Sequence, residues 1–152
     1  MTGGSRGIGK AIATLYAESG ANVMIVSRKA DALEEAAAEI GHGCRWLAAN
    51  TSDAASGPAA VAATIEAFGS LDILVNNAAT NPYAGPMIDV DMPRWEKTIA
   101  VNLTAPLQWT QAAWQGWMKE HGGDHQPVVG WGVCHKPGHW RLRPHSRVPS
   151  ST

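Results

Sequence analysis

The sequence lacks the features that mark secreted, membrane-spanning and nucleic-acid-binding proteins. Its two cysteines, Cys44 and Cys134, are too few for a disulfide framework. No apolar run approaches the length of a membrane span, and no charged segment followed by an apolar one opens the chain as a secretory signal would. The net charge of −1 gives no reason to expect nucleic acid or a membrane as a partner. We therefore expect a protein of the reducing cytoplasm.

The composition predicts one globular domain followed by a different kind of segment. The chain has 152 residues, of which 45% are hydrophobic and 16% are charged, as is ordinary for a soluble domain. After residue 120, however, lie five of the six histidines and four of the nine prolines, with neither a helical period nor sustained strand alternation. We place the boundary near Gly122 and Gly123, so that residues 1–123 form the domain and residues 124–152 an irregular tail.

Within the domain, helices and strands are predicted to alternate. The predicted helices are Lys10–Ser19, Asp31–Ile40, Pro58–Phe68 and a long one over Pro93–Lys119. The predicted strands are Asn22–Val26, Cys44–Ala49 and Leu71–Val75. Strands that alternate with helices at this spacing pair in parallel through right-handed crossovers. The pattern therefore predicts the α/β class, with a doubly wound parallel sheet.

A glycine-rich loop precedes the first predicted helix. Its residues are Thr2, Gly3, Gly4, Ser5, Arg6, Gly7, Ile8 and Gly9. Gly3 permits a tight turn, Gly7 lets backbone N–H groups approach phosphates, and Gly9 lets the helix pack closely on a strand. The helix N-terminus adds unpaired N–H donors and a partial positive charge. A turn without function is the alternative, but the helix and strand that follow favour a site for a dinucleotide pyrophosphate.

Ser27 and Arg28 follow the first predicted strand, at the position where a dinucleotide fold meets the adenosine ribose. A carboxylate there would accept from the 2′-hydroxyl group, whereas an arginine would pair with a 2′-phosphate. Because no acid lies there and Arg6 is a second cation nearby, we expect NADP(H) as the cofactor in preference to NAD(H). The alternative is that Arg28 is a solvated charge at the end of a strand.

Asparagines mark two further positions. The first is the run Asn76, Asn77, Ala78 and Ala79. Its small residues would let a ring lie against the backbone and its amides could tie strands together, although a simple turn is the alternative. The second is Asn102, on the apolar stripe of the long helix with Pro106 four residues on. Because proline has no N–H, the Asn102 carbonyl is free to hold a water, but spacing alone favours a packing asparagine beside a proline kink.

Together these motifs resemble the short-chain dehydrogenase/reductase family over residues 1 to about 123. Thr2–Gly9 is similar to its T-G-x-x-x-G-x-G loop, Asn76–Ala79 to its N-N-A-G motif, and Asn102 to its helix asparagine in a V-N-L context. The resemblance implies a Rossmann fold and NAD(P)(H)-dependent oxidation of small alcohols or reduction of carbonyls, in members that form homo-oligomers. It also implies that Asn102 is catalytic, holding a water of the proton relay, and that Asn50 and Thr51 contact the adenine ring.

Two departures from the family pattern are expected to matter. The catalytic Y-x-x-x-K is absent, because four residues after Tyr16 and Tyr83 stand Gly20 and Met87. The family's first strand would end at Met1, so that strand and the fifth strand onward are expected to be missing. In the family order, 3-2-1-4-5, the first strand is central. We therefore expect a split sheet and a fragment that is poorly folded and catalytically inactive.

The tail is interpreted as translation of a shifted reading frame that begins near Gly123. Its permitted codons, read one nucleotide later, allow a strand, a serine and a tyrosine similar to those the family would have here, but no lysine at the required place. Two alternative functions stay open. One is a non-catalytic dinucleotide-binding protein. The other, on a weaker signal, is a tail that binds a metal or nucleic acid, and its candidate residues are Cys134, His135, His139, Trp131 and Trp140.

Overall fold

The computed structural model of the chain describes residues 1–126, in which strands and helices alternate along the first half. The helices are α1 (Gly7–Glu18), α2 (Ala30–Ile40), α3 (Ser56–Phe68), α4 (Met92–Ile99), α5 (Ala105–Ala113) and α6 (Lys119–His121). The strands are β1 (Met24–Ser27), β2 (Arg45–Ala48), β3 (Ile73–Val75) and β4 (Asp124–Gln126). Across this described range, no helix has the length and apolar character needed to cross a membrane.

The strands form two parallel pairs with the start of the chain between them. β1 pairs with β2, and β3 pairs with β4. Thr2 makes a single parallel bridge to Val26 of β1, and its N–H donates to the Val75 carbonyl of β3 at 3.0 Å. The order across the molecule is therefore β2, β1, the first three residues, β3 and β4, so that only a three-residue link lies where a central strand is expected.

The two faces of β1 contribute to two separate apolar cores. Ile25 is fully buried against residues of α1 and α2, among them Leu33. Val26, the next residue, lies in the other core with Val61 of α3 and Trp109 of α5. Successive strand residues point to opposite faces, and a strand covered on both sides is apolar throughout. Helices thus cover both faces of the strands, which confirms the doubly wound α/β class.

Helix ends follow the signals in the sequence closely. Gly41 ends α2 with φ of 67°, and Gly69 ends α3 in the left-handed region with φ of 78°. The Gly69 N–H donates to the Ile65 carbonyl at 2.7 Å, which satisfies one of the last carbonyls of the helix. Pro58 lies in the first turn of α3. The N–H groups of a first turn have no acceptor within the helix, so the missing N–H of proline costs no helical hydrogen bond.

The long helix predicted over Pro93–Lys119 is interrupted by two π-helical segments, Ala100–Thr104 and Trp114–Met118. In the first of them the Ala105 N–H donates to the Ala100 carbonyl, five residues back. Pro106 follows directly and cannot donate, so the α-helical ladder cannot run through it unchanged. The proline irregularity expected from the sequence is therefore a π-helical turn.

Asp124–Gln126 form a parallel strand, although the sequence analysis placed them in the irregular tail. Asp124 aligns with Ile73 and Gln126 with Val75. Three polar residues give no apolar alternation to detect, but parallel pairing rests on backbone groups that every residue has. Residues 127–152 lie outside the described residues, so the shifted-frame interpretation stays a prediction.

Candidate functional site

The glycine loop lies at the carboxyl ends of β1 and β3, held there by backbone hydrogen bonds of the first three residues. The Val26 N–H donates to the Met1 carbonyl at 2.9 Å, and the Gly3 N–H donates to the Val26 carbonyl at 2.8 Å. The Thr2 N–H reaches β3, as described above. The carboxyl ends of parallel strands, at the point where strand order reverses, form the usual ligand crevice of this architecture.

Gly9 occupies a position that has no room for a side chain. A Cβ atom on it would lie 2.2 Å from the Gly3 carbonyl oxygen and 2.4 Å from Nδ2 of Asn77. The start of α1 is thereby pressed against the loop. Gly7, in contrast, has φ of +55° and open space around its Cα, so the backbone there is accessible to a ligand.

The N-terminus of α1 has no side-chain cap. Arg6 is the N-cap residue and makes no capping hydrogen bond, and the first turn contains no acidic residue. The first N–H groups of a helix have no intrahelical acceptor, and the helix dipole gives this end a partial positive charge. Ile8 in the first turn is 71% exposed, so the approach to these donors is open. The arrangement is suited to an anion such as a pyrophosphate.

Thr2 and Asn77 fasten the loop to the turn after β3. The Thr2 hydroxyl accepts from the N–H groups of Asn77 and Ala78, at 3.0 Å each. The Asn77 side chain donates to the carbonyls of Thr2 and Gly3, at 3.2 Å each. Asn77 was not among the predicted site residues. The neighbouring asparagines were a signal, but only the structure identifies Asn77 as the one that contacts the loop.

Asn76 has a different role, inside the protein. It is 3% exposed, and its side chain donates to Oγ1 of Thr110 at 3.2 Å and to the Pro106 carbonyl at 3.5 Å. The first asparagine of the pair therefore ties β3 to α5, and the second ties the turn to the glycine loop. Ala78 lies half-buried and Ala79 exposed beyond them.

Two arginines border the loop. Ser27 is half-buried at the end of β1, and Arg28 directly after it is exposed, as is Arg6. The salt bridges within residues 1–126 join Lys10 to Glu39 and Arg94 to Asp91, so neither Arg6 nor Arg28 is paired with a carboxylate there.

Asn50 and Thr51 follow β2 and form a turn anchored in the core. The Asn50 side chain accepts from the N–H and hydroxyl of Ser52, and the Thr51 carbonyl accepts from Nε1 of Trp109 at 3.0 Å. Trp109 is 3% exposed. Sequence reasoning missed this tryptophan, since an aromatic residue at a helical spacing indicates only a core position. Its indole N–H needs a buried partner, and Thr51 supplies it.

The Asn102 side chain clamps the chain that follows Ala79. Its Oδ1 accepts from the Thr80 N–H at 2.8 Å, and its Nδ2 donates to the Thr80 carbonyl at 2.9 Å. Asn102 lies in the first π-helical segment, Ala100–Thr104. The side chain thus positions the edge of the crevice, and the water on its main-chain carbonyl stays a prediction.

Burial affects one ionisable group near the loop strongly. The Met1 α-amino group donates to the Met24 carbonyl at 2.7 Å, and burial lowers its pKa from 8.0 to about 6, with a small opposing effect from Cys44. Burial also raises the pKa of the Cys44 thiol. No group of three metal-ligating side chains comes together within residues 1–126. The proposed zinc and nucleic-acid residues of the tail lie outside the described range.

The fold and the loop define a Rossmann-type dinucleotide-binding protein. A family model described as short chain dehydrogenase matches residues 1–124. The chain belongs to this short-chain dehydrogenase/reductase family, as the motifs of its sequence predicted.

The curated relatives match about four fifths of this chain and are longer than it. Dehydrogenase/reductase SDR family member 4 of Homo sapiens is 35% identical over 126 residues, which cover 81% of this chain and 45% of that protein. D-threitol dehydrogenase of Mycolicibacterium smegmatis is 37% identical over 126 residues, covering 81% and 48%. The chain thus spans about half the length of the curated relatives it matches.

Solved structures agree in fold and coverage. A short chain dehydrogenase from Bacillus anthracis is 32% identical with a TM-score of 0.78, over 83% of this chain and 54% of that one. An alcohol dehydrogenase from Thermococcus sibiricus, complexed with 5-hydroxy-NADP, is 29% identical with a TM-score of 0.76, over 84% and 55%.

Proposed function

We propose that residues 1–126 form the nucleotide-binding part of a short-chain oxidoreductase and bind NADP(H) in preference to NAD(H). The observation that supports this most is the glycine loop before α1, which presents an uncapped helix N-terminus beside an open glycine backbone. The pyrophosphate would accept from N–H groups of the loop between Ser5 and Gly9. When bound, the cofactor supplies or takes up a hydride.

The preference for NADP(H) rests on charge at the ribose end of the crevice. Arg28 and Arg6 are exposed cations next to the loop, and Ser27 adds a hydroxyl group. A 2′-phosphate carries two negative charges near neutral pH and pairs well with a guanidinium fork. Asn50 and Thr51 are assigned to the adenine ring, while Ala78 and Ala79 leave room for the other end of the dinucleotide. Asn76 and Thr2 hold the end of β3 and the turn after it in place through their hydrogen bonds.

From family membership, the activity we propose is hydride transfer to or from a small alcohol or carbonyl. Asn102 would hold a water of the proton relay on its main-chain carbonyl. Neither tyrosine of this chain is followed by a lysine at the required spacing. We therefore expect the chain itself to bind the cofactor without turnover, because its sequence has no Y-x-x-x-K to supply the general acid or base. A non-catalytic dinucleotide-binding protein is the second candidate, and the lack of Y-x-x-x-K in the sequence favours it.

A charge reversal at Arg28 tests the cofactor preference. We expect Arg28→Asp to weaken NADPH binding by about 10-fold or more, and NADH binding much less, because it removes a charge-assisted contact to the 2′-phosphate. Arg45→Asp is the matched control, because Arg45 is an exposed arginine at the amino end of β2, the opposite edge from the loop. The measurement is titration calorimetry with each nucleotide.

Equal losses of NADPH and NADH affinity in Arg28→Asp would contradict the assignment of Arg28 to the 2′-phosphate. The absence of any nucleotide binding by a folded chain would contradict the proposed function as a whole. Oxidation or reduction of a substrate by this chain alone would instead reject the expected inactivity and call for another acid/base residue.

A further inference from the structure

The turn that follows β2 is held in place by a side chain of α5. The Thr51 carbonyl accepts a hydrogen bond from Nε1 of Trp109 at 3.0 Å, and both residues are buried. Within residues 1–126, no backbone N–H donates to this carbonyl. Because a buried carbonyl without a donor is unfavourable, the indole N–H determines where the main chain of Thr51 can lie.

The other hydrogen bonds of this turn are mostly local. The Asn50 side chain accepts from the N–H and the hydroxyl of Ser52, and the Asn50 carbonyl accepts from the Asp53 N–H at 2.9 Å. Such bonds set the shape of the turn but not its place in the domain. In the described part of the chain, Lys97 is the other distant residue that bonds to the turn, and its 3.5 Å contact with Oγ of Ser52 is long for a hydrogen bond.

The packing around Trp109 brings its ring to the turn. The ring lies in the core with Val26 and Val61. A Cβ atom on Gly57, at the start of α3, would lie only 3.6 Å from the Trp109 Cα, so α3 approaches α5 closely here. Thr51 shortly precedes α3 and is carried within reach of the indole. A phenylalanine could also pack in this core, but the indole adds a donor to the packing.

We propose that Trp109 is a positioning residue for the adenine end of the dinucleotide site. The inference rests on the proposed function, in which Asn50 and Thr51 contact the adenine ring. Because Trp109 is buried, it acts through Thr51 and not through contact with the nucleotide. It fixes the turn before the nucleotide arrives, and a turn that is already ordered binds more tightly because ordering adds no cost on binding.

Removal of the indole N–H alone tests the proposal. In the full chain, Trp109 is replaced by benzothienylalanine, which keeps the fused ring system but has sulfur in place of the N–H group. We expect this change to raise the Kd for NADPH, measured by titration calorimetry, by about 5–10-fold, since one buried hydrogen bond is lost. Trp109→Phe should weaken binding at least as much.

Val61→Ala is the matched control, because it removes packing from the same core and no hydrogen bond to the turn. It should lower the urea midpoint of unfolding at least as much as the benzothienylalanine replacement does. We expect its Kd for NADPH to differ from that of the unmodified chain by less than about twofold.

The base of the nucleotide provides a readout that a role in packing alone would not change. The hypoxanthine analogue of NADPH differs only at the edge of the base, where an oxo group replaces the amino group. A turn held at a fixed place should favour adenine over this analogue by about fivefold, and the benzothienylalanine chain should lose most of that preference.

Amide hydrogen exchange reports on the turn without any nucleotide. We expect the Asp53 N–H to exchange about fivefold faster in the benzothienylalanine chain than in the unmodified chain, and at an unchanged rate in Val61→Ala. This measurement makes a failure of the present proposal distinguishable from a failure of the proposed function.

Three outcomes would overturn the proposal while the proposed function stands. The first is equal NADPH affinity of the unmodified and benzothienylalanine chains. The second is an equal loss for NADPH and its hypoxanthine analogue, or the same loss in Val61→Ala, either of which would leave Trp109 a packing role only. The third is unchanged exchange at Asp53. If the unmodified chain binds no nucleotide, the proposed function fails and this proposal fails with it.

Discussion

The carboxyl and amino ends of the same two strands differ sharply in this protein. At the carboxyl end, Met1, Thr2 and Gly3 bond to both β1 and β3 and carry the glycine loop across the gap. At the amino end, a cavity of about 310 Å³ beneath Met1 separates the strands. Three residues suffice to connect backbone groups at one level, but they cannot fill the space between two helical layers.

This difference separates what organises the site from what stabilises the domain. The loop depends on a few short contacts, and those are present within residues 1–126. Stability depends on apolar area removed from water and on close packing, which a cavity reduces. We therefore expect changes at the carboxyl end to affect nucleotide binding first, and changes at the amino end to affect unfolding first.

The largest effect is expected from Gly9→Ala, at the carboxyl end. The new Cβ would collide with backbone at the Gly3 carbonyl, which cannot move without displacing the loop. We expect loss of nucleotide binding and a decrease of about 3 kcal/mol in the free energy of unfolding, measured by calorimetry and urea denaturation. Gly20→Ala is the control, since Gly20 has φ of +88° and open space, and should cost about 1 kcal/mol without affecting binding. Equal effects of the two changes would remove the packing role of Gly9.

A smaller effect is expected from Thr2→Val, which keeps the shape of the side chain. The change leaves the N–H groups of Asn77 and Ala78 without their acceptor at a residue that is 2% exposed. We expect the unfolding free energy to fall by about 2–3 kcal/mol. Thr2→Ser keeps the hydroxyl and should retain nucleotide affinity, whereas Thr2→Val should not. If nucleotide titration shows the same affinity for both variants, the hydroxyl does not organise the crevice.

The boundary between the two ends is tested by pH, through the amino group of Met1, which lines the cavity. Its pKa of about 6 in the folded protein lies below the 8.0 of an ordinary terminus, so the unfolded chain binds more protons between these values. Stability should therefore rise as the pH increases from 6 to 8, by up to about 2 kcal/mol, and level off above 8. Urea denaturation across this range measures it.

The control for this pH dependence is acetylation of the Met1 amino group, which removes the titration. The acetylated chain should show no rise in stability between pH 6 and pH 8 from this source. A rise of the same size in both forms would show that groups other than the Met1 amine cause the pH dependence.

The smallest effect is expected where the helix holds the edge of the crevice. Asn102→Ala removes two hydrogen bonds to Thr80, and we expect a loss of about 1–2 kcal/mol with faster proteolysis after Ala79. Asn81→Ala, at an exposed asparagine nearby, should change the unfolding free energy by less than about 0.5 kcal/mol. If the two variants were indistinguishable, the Asn102 clamp would be of no consequence in solution.

Much of the fold was accessible from the sequence because its signals are local. The apolar run of β1, the glycines at 41 and 69 and the glycine loop each act through neighbouring residues. The strand at Asp124–Gln126 was missed because polar residues can pair through their backbone. The π-helical turn before Pro106 was expected only as a kink, because sequence shows the missing N–H but not how the ladder adjusts.

The candidate site divides in the same way. Its loop, its arginines and the asparagine positions were predicted from residue types and spacing. Asn76 bonds to α5 and Asn77 to the glycine loop, Asn102 bonds to Thr80, and Trp109 bonds to Thr51. These hydrogen bonds join residues 22 or more positions apart. No local pattern specifies such partners.

The sequence by itself determined the α/β class, the family and the place of the nucleotide loop, because glycine conformations and apolar periodicity are properties of short segments. Only the tertiary structure decided that three residues connect β1 to β3 and that a cavity lies beneath them. Which buried groups find partners depends on how distant segments meet in space, and that depends on the packing of the whole described domain.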